Sequence, residues 1–204
     1  MLLAIDTSVG TSVALVDGDI GVLAERSSLN TRGHAESIGT FIAECLHTAG
    51  ITRSTLTGVA IGMGPGPFTG LRVGIAAGRA FALGVDIPAL PVVSHDAIAY
   101  EQYLAGAVGP LSVVTDARRR ELYVTTYSGS DSDGLPVRLD GPAIAKAESL
   151  VTPAPRLDAV EVSAGALGML AERMIQLRRP LAGPGAIYLR SPDVTMAAGP
   201  KRVS

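Results

Sequence analysis

Short apolar runs, most of them closed by Asp, Ser or Gly, punctuate the first half of the chain at residues 2–5, 11–16, 20–25, 59–61 and 89–93. Runs of this length bounded by turn residues predict β-strands. Asp17-Gly18-Asp19 separates the second run from the third with the chemistry of a positive-φ hairpin turn, so the chain opens as a three-stranded meander. Between Gly33 and Gly50 the period changes. Ile38, Phe41, Ile42, Cys45, Leu46 and Ala49 follow helical spacing and predict a helix over 34–49. After the strand at 59–61 comes a Gly/Pro turn, and then a helix over 69–83 that Thr69 is placed to cap. Ser94 is read as the cap of a further helix over 95–104.

The second half repeats part of this grammar. A strand at 111–115 ends in Asp116, the arginines 118–120 form a hairpin tip, and an alternating strand follows at 121–127. Residues 128–141 read as a polar loop, 143–150 as a short helix, 152–157 as a connector, 160–162 as a strand and 164–177 as a helix. In both halves a first strand ends in an acidic residue, Asp6 or Asp116. The pattern therefore predicts an α/β protein of two related lobes, residues 1–104 and a shorter 105–190, followed by a flexible tail at 191–204.

The helix over 69–83 carries Gly70, Gly74 and Gly78 at every fourth position, with Ala82 continuing the row. Three helical glycines cost about 3 kcal/mol relative to alanine, which close packing must offset. That packing lies either inside the fold or against another subunit. With Arg72 and Arg79 beside the row, nothing here is expected to span a bilayer.

Composition narrows the chemistry. The 204 residues carry a net charge of −2 with 4% aromatics and no Trp, so the core is aliphatic and a free-standing nucleic-acid binder is disfavoured. One cysteine, Cys45, excludes an internal disulfide and a cysteine zinc site, and fits a reducing cytoplasm. Asp6, followed by the hydroxyls of Thr7, Ser8, Thr11 and Ser12, is a candidate phosphate or metal ligand or else an Asx-type turn. The Gly/Pro turn lacks the Lys-Ser/Thr of a P-loop. His34 has no second histidine at metal spacing, and His95 is followed by Ala99 where a helical metal pair needs His. No metal site is expected.

Ala4-Ile5-Asp6-Thr7-Ser8, the stretch GPGPFTGLRVG at 64–74, Asp116-Ala117-Arg118-Arg119 with Glu121 and Tyr123, and Tyr188-Leu189-Arg190 together resemble the TsaB (YeaZ) family of tRNA threonylcarbamoyladenosine biosynthesis. The resemblance implies an actin-like, sugar-kinase-like (ASKHA) fold of two RNase-H-like lobes. It also implies a non-catalytic subunit that pairs with TsaD, works with the ATPase TsaE, self-associates as a homodimer when alone, and meets tRNA only through the complex. Catalytic residues are then none. The implied partner interface is His34, Ser37, Ile38, Phe41, Gly70, Arg72, Val73, Gly74, Ala77 and Gly78. Candidate nucleotide or tRNA contacts are Asp6, Thr7, Asp116, Arg118 and Arg119. No tightly bound cofactor is implied, although ATP or ADP with magnesium can lodge at the assembled interface. Pro67 stands where the family usually has Ser, and Arg120 where it usually has Gly, so the hairpin is expected not to need positive φ. The rival reading is an actin-like-fold kinase or ATPase using Asp6 and Asp116; a peptidase is a weaker third, with no nucleophile or metal set.

Overall fold

A computed structural model describes residues 1–30 and 33–190. The opening meander is β1 (Leu2–Asp6), β2 (Thr11–Asp17) and β3 (Gly21–Ser28), followed by helix α1 (His34–Ala49). Strand β4 (Gly58–Gly62), helix α2 (Phe68–Val85) and strand β5 (Ala89–Val92) complete a five-stranded sheet in the order β3-β2-β1-β4-β5. β1 pairs antiparallel with β2 and parallel with β4. This is the mixed sheet that a meander followed by a helical crossover must produce.

Both faces of that sheet are covered, which is why its strands are almost continuously apolar. Leu3, Ile5, Val13, Leu15, Val59 and Ile61 face α1 and α2. Leu2, Ala4, Ala14, Val16 and Ala60 face the opposite way, into the layer shared with the second sheet. Cys45 is fully buried beneath α1, as its helical spacing predicts.

After helix α3 (Ser94–Leu104), the second sheet is built from β6 (Leu111–Arg118), β7 (Glu121–Ser130), β8 (Pro136–Lys146) and β9 (Arg156–Asp158), in the order β8-β7-β6-β9. β6 is antiparallel to β7 and parallel to β9, so the meander plus parallel strand occurs twice. Helix α4 (Ala164–Gln176) follows the second sheet in sequence yet lies on β1 and β2 of the first, while α3 lies on β6, β7 and β8. Its N-terminus is docked by Glu25 of β3, whose carboxylate accepts from Ser12 Oγ, Ser163 Oγ and the Gly165 amide at 3.0–3.2 Å. A carboxylate at a helix N-terminus meets both its open amides and its dipole.

Several sequence expectations are corrected. Residues 128–141 are not a loop: β7 and β8 extend through most of them, because Asp131 folds the connection tightly by accepting from the Asp133 and Leu135 amides. Residues 143–150 continue β8 and end in a short 3₁₀ turn instead of a helix, and the strand expected at 160–162 is displaced to β9. At Asp17-Gly18-Asp19 the turn is closed by the Asp17 carboxylate accepting from the Asp19 and Ile20 amides, and the positive φ falls on Gly21. Neither Thr69 nor Ser94 caps its helix with a side chain. By length and a mean hydropathy of 1.2, α2 does meet the minimum for a membrane span, contrary to expectation. Its glycine row, packed on β1 and β4, makes it a layer of this fold. The tail expectation at 191–204 lies outside the described residues.

Candidate functional site

The carboxyl ends of β1, β4, β6 and β9 converge on one cleft between the sheets. In open α/β sheets ligands collect at such ends. Ser8 and Val9 after β1, Pro67 after β4, Asp116 and Arg118 of β6, and Val160 after β9 line a cavity of about 230 Å³ there. Small-molecule sites usually occupy ~300–1,000 Å³. The cleft is thus narrow for a nucleotide.

Asp6 does not reach it. Its side chain is 2% exposed and enclosed by β4 and α3: Oδ1 accepts from the Ser8 amide at 2.7 Å and Ser8 Oγ at 2.6 Å, and Oδ2 accepts from Ser94 Oγ at 2.5 Å. Ser94 Oγ in turn accepts from the Gly64 amide at 3.1 Å. Burial raises the Asp6 carboxyl above its ordinary range against the pull of these donors. Both the Asx-type turn and a tie to the second crossover are therefore built from Asp6, and sequence reasoning gave Ser94 only the role of a cap. The clue was absent locally, because the two residues meet only when β4 is inserted between β1 and β5. Thr7, also buried, donates its hydroxyl to the Gly70 carbonyl at 2.7 Å. The kinase reading asked Asp6 and Asp116 to share a phosphate site; the fold keeps Asp6 in the wall and leaves Asp116 exposed, bound to the Arg118 amide at 2.8 Å and its guanidinium at 3.3 Å. Among the described residues no cluster of three His, Cys, Asp or Glu side chains could hold a metal ion.

The hairpin carrying Arg118, Arg119 and Arg120 differs from expectation. All three have positive φ, at 65°, 53° and 62°, and Arg118 pairs with Glu121 across a two-residue loop. Two left-handed loop residues define the turn that suits strand twist, so Arg120 takes the conformation glycine would have taken.

The residues expected at a partner interface separate into two groups. A Cβ on Gly70 or Gly74 would run into Thr7, and one on Gly78 into Ile61, so the glycine row faces the chain's own sheet. Ile38 is core, and His34 is buried with Nδ1 2.7 Å from Thr11 Oγ1, its basicity lowered by desolvation. These five positions pack within the chain. Arg72 is exposed above the Phe68 ring, Ser37 is half-buried on α1, and Phe41, Val73 and Ala77 are half-buried and pack against the core. Beside them Ala76, Ala80 and Leu83 open to solvent, with Leu83 83% exposed.

His95 is fully buried on α3. Nδ1 lies 2.8 Å from Thr125 Oγ1 and Nε2 2.9 Å from Thr115 Oγ1, so both ring nitrogens are taken by hydroxyls of β6 and β7. Desolvation first, and Arg138 second, bring its pKa down to about 3. The ring is neutral and structural.

Two sheets of matching strand order with helices between them constitute the actin-like, sugar-kinase-like fold. A polyphosphate/ATP-glucomannokinase from Arthrobacter shares it at TM-score 0.50 and 15% identity, over 86% of this chain and 98% of that one. A crystal structure from Pseudomonas aeruginosa, described as an uncharacterized protein with similarity to peptidase YEAZ, superposes at TM-score 0.78 with 25% identity, covering 93% of this chain and 99% of that one. The family model for TsaD, tRNA N6-adenosine threonylcarbamoyltransferase, matches residues 21–165. An uncharacterized protein of Mycobacterium tuberculosis is 40% identical over 76% of this chain and 69% of its own length. TsaB of Haemophilus influenzae, a tRNA threonylcarbamoyladenosine biosynthesis protein, is 34% identical over 60% of this chain and 51% of its own length. The chain belongs to the TsaD family, in its TsaB (YeaZ) branch. Its matching segment spans about half the length of that TsaB relative.

Proposed function

We propose that this chain is a cytoplasmic, non-catalytic subunit of the machinery that places threonylcarbamoyl on the adenosine beside the anticodon of ANN-decoding tRNAs. It binds and activates TsaD there, together with the ATPase TsaE, and self-associates through the same face when alone. The observation that carries the non-catalytic part is the enclosure of Asp6, whose carboxylate is occupied by Ser8 and Ser94 and does not line the cleft. Support for the pathway comes from the TsaB relatives.

The partner surface in this reading is the exposed margin of α1 and α2, where Arg72, Ala76, Ala80 and Leu83 are open and the half-buried Ser37, Phe41, Val73 and Ala77 lie on the same two helices. Small exposed side chains let a second helix approach closely, while the glycine row beneath holds α2 flat on its own sheet. ATP or ADP with magnesium would bind between subunits, since the cleft of this chain supplies one exposed carboxylate, Asp116. Arg118 and Arg119 on the hairpin would contact tRNA phosphates only in the complex.

The test is sedimentation of the chain with TsaD from the same genome, alongside tRNA modification by the reconstituted mixture. Ala80→Glu puts a charge on the open face without entering the core. Wild type is expected to co-sediment and raise modification, and Ala80→Glu to lower both by about tenfold or more while its unfolding midpoint stays put. Unchanged pairing by Ala80→Glu would remove the α2 surface from the reading. Threonylcarbamoyl transfer by the isolated chain would overturn the non-catalytic assignment.

A further inference from the structure

Apart from the cleft, a cavity of about 310 Å³ lies between the end of β5, α3, β8, α4 and the segment that follows α4. It shares no lining residue with the cleft, so what it binds is independent of the function proposed above. That volume falls within the range of small-molecule sites, and such sites favour the junctions between lobes.

The roof is fastened at both ends. The Ala182 amide donates to the Pro91 carbonyl at 3.0 Å and the Ile187 amide to the Met63 carbonyl at 2.8 Å, leaving Gly183-Pro184-Gly185 to span the mouth. Val92, Met174, Leu181 and Ile187 supply apolar walls. The charged lining is a single pair, Asp96 and Arg138. Arg138 donates Nε to Asp96 Oδ1 at 3.2 Å and Nη2 to Oδ2 at 2.5 Å, and the buried Tyr127 hydroxyl donates to Oδ1 at 2.7 Å. Oδ1 thereby has both acceptor directions filled. Oδ2 keeps one, and Arg138 Nη1 has no hydrogen-bond acceptor among the described residues.

The pair thus offers the cavity N–H donors beside one acceptor oxygen, at zero net charge. A carboxylate placed there would lie against Asp96, and an ammonium against Arg138. A carboxamide satisfies both sides, its carbonyl accepting from Nη1 while its N–H donates to Oδ2. We propose that this cavity binds a small aliphatic molecule with a carboxamide head, held by Arg138 and Asp96 with its body against Val92, Met174, Leu181 and Ile187.

Isovaleramide is the probe, with isovalerate and isoamylamine as head-group controls. The protein labelled at its five methionine methyls is titrated by NMR, reading the Met174 signal. Gly183 lines the cavity and a Cβ there would meet open space, so Gly183→Phe adds bulk at the cavity without disturbing the core. The expected result is a saturable shift at Met174 with isovaleramide, about tenfold weaker binding of both controls through loss of one matched hydrogen bond, and loss of the shift in Gly183→Phe with the other methionine signals unmoved. The proposal is overturned by no saturable shift, by equal binding of the three head groups, or by full binding to Gly183→Phe.

Discussion

Gly74 and Gly39 are both helical glycines, and their surroundings assign them opposite worth. A methyl on Gly74 would overlap Thr7 Oγ1 and crowd its Cγ2 and Cβ, on a strand end already held by the Thr7 hydroxyl bond to Gly70. Gly39 on α1 has nothing within 4 Å of where a Cβ would stand. Gly74→Ala should therefore lower stability by about 1–3 kcal/mol through overpacking. Gly39→Ala should raise it by about 0.5–1 kcal/mol, the ordinary helix gain. Urea unfolding of the two variants checks the pair, and a stabilised Gly74→Ala would mean that α2 does not sit on β1. The spacing of the row was legible from the sequence. Its target was not, because a bare helix stripe fits a neighbouring helix and the chain's own sheet equally well.

At the scale of elements, the β6–β7 hairpin shows how local preference yields to strand twist. Arginine is not a left-handed residue, yet a two-residue loop with both φ positive best matches the right-handed twist of the paired strands. Each such residue is held at a cost of roughly 1–2 kcal/mol that Asn or Gly would largely avoid. The double variant Arg119→Asn/Arg120→Gly should thus be more stable by about 1–2 kcal/mol, read as a higher urea midpoint at unchanged slope. An unchanged or lowered midpoint would count against the left-handed loop. The same twist explains Arg120: its departure from the family's glycine predicts a change of turn, and the pairing of the flanking strands preserves the turn. β8 was missed for a related reason, since its Pro, Asp and Gly residues signal loops and only pairing with β7 makes them a strand.

Across the whole molecule, the two sheets are joined through α3 and α4, and His95 is the polar bolt of that joint. It stands on the helix that follows the first sheet and bonds Thr115 and Thr125 of the second. The native ring resists protonation down to about pH 3, whereas the unfolded ring takes a proton near pH 6.5. The unfolded state therefore gains the proton first as pH falls. This group's contribution to stability is complete above pH 6.5 and drains away toward pH 3, by about 1.4 kcal/mol per pH unit within that window. His95→Gln should lose this slope. Its deficit against wild type at pH 7.5 should shrink by about 2 kcal/mol by pH 5, measured as urea unfolding free energies. A deficit independent of pH would mean that the ring is not neutral and enclosed.

The sequence by itself determined the α/β class, the opening meander, α1 and α2, the first strand of each sheet, and the family through GPGPFTGLRVG. Periodicity, turn chemistry and a specific motif are local properties, and they survive into the folded chain. Only the tertiary structure decided that Asp6 is closed off by Ser94, that the glycine row meets Thr7 and Ile61, that α4 covers the first sheet, and that Asp96 and Arg138 face a cavity. Each of these depends on which strand is inserted beside which, and on residues far apart in sequence excluding water together. That long-range order is set by burying both faces of one sheet at once, which no stretch of the chain encodes alone.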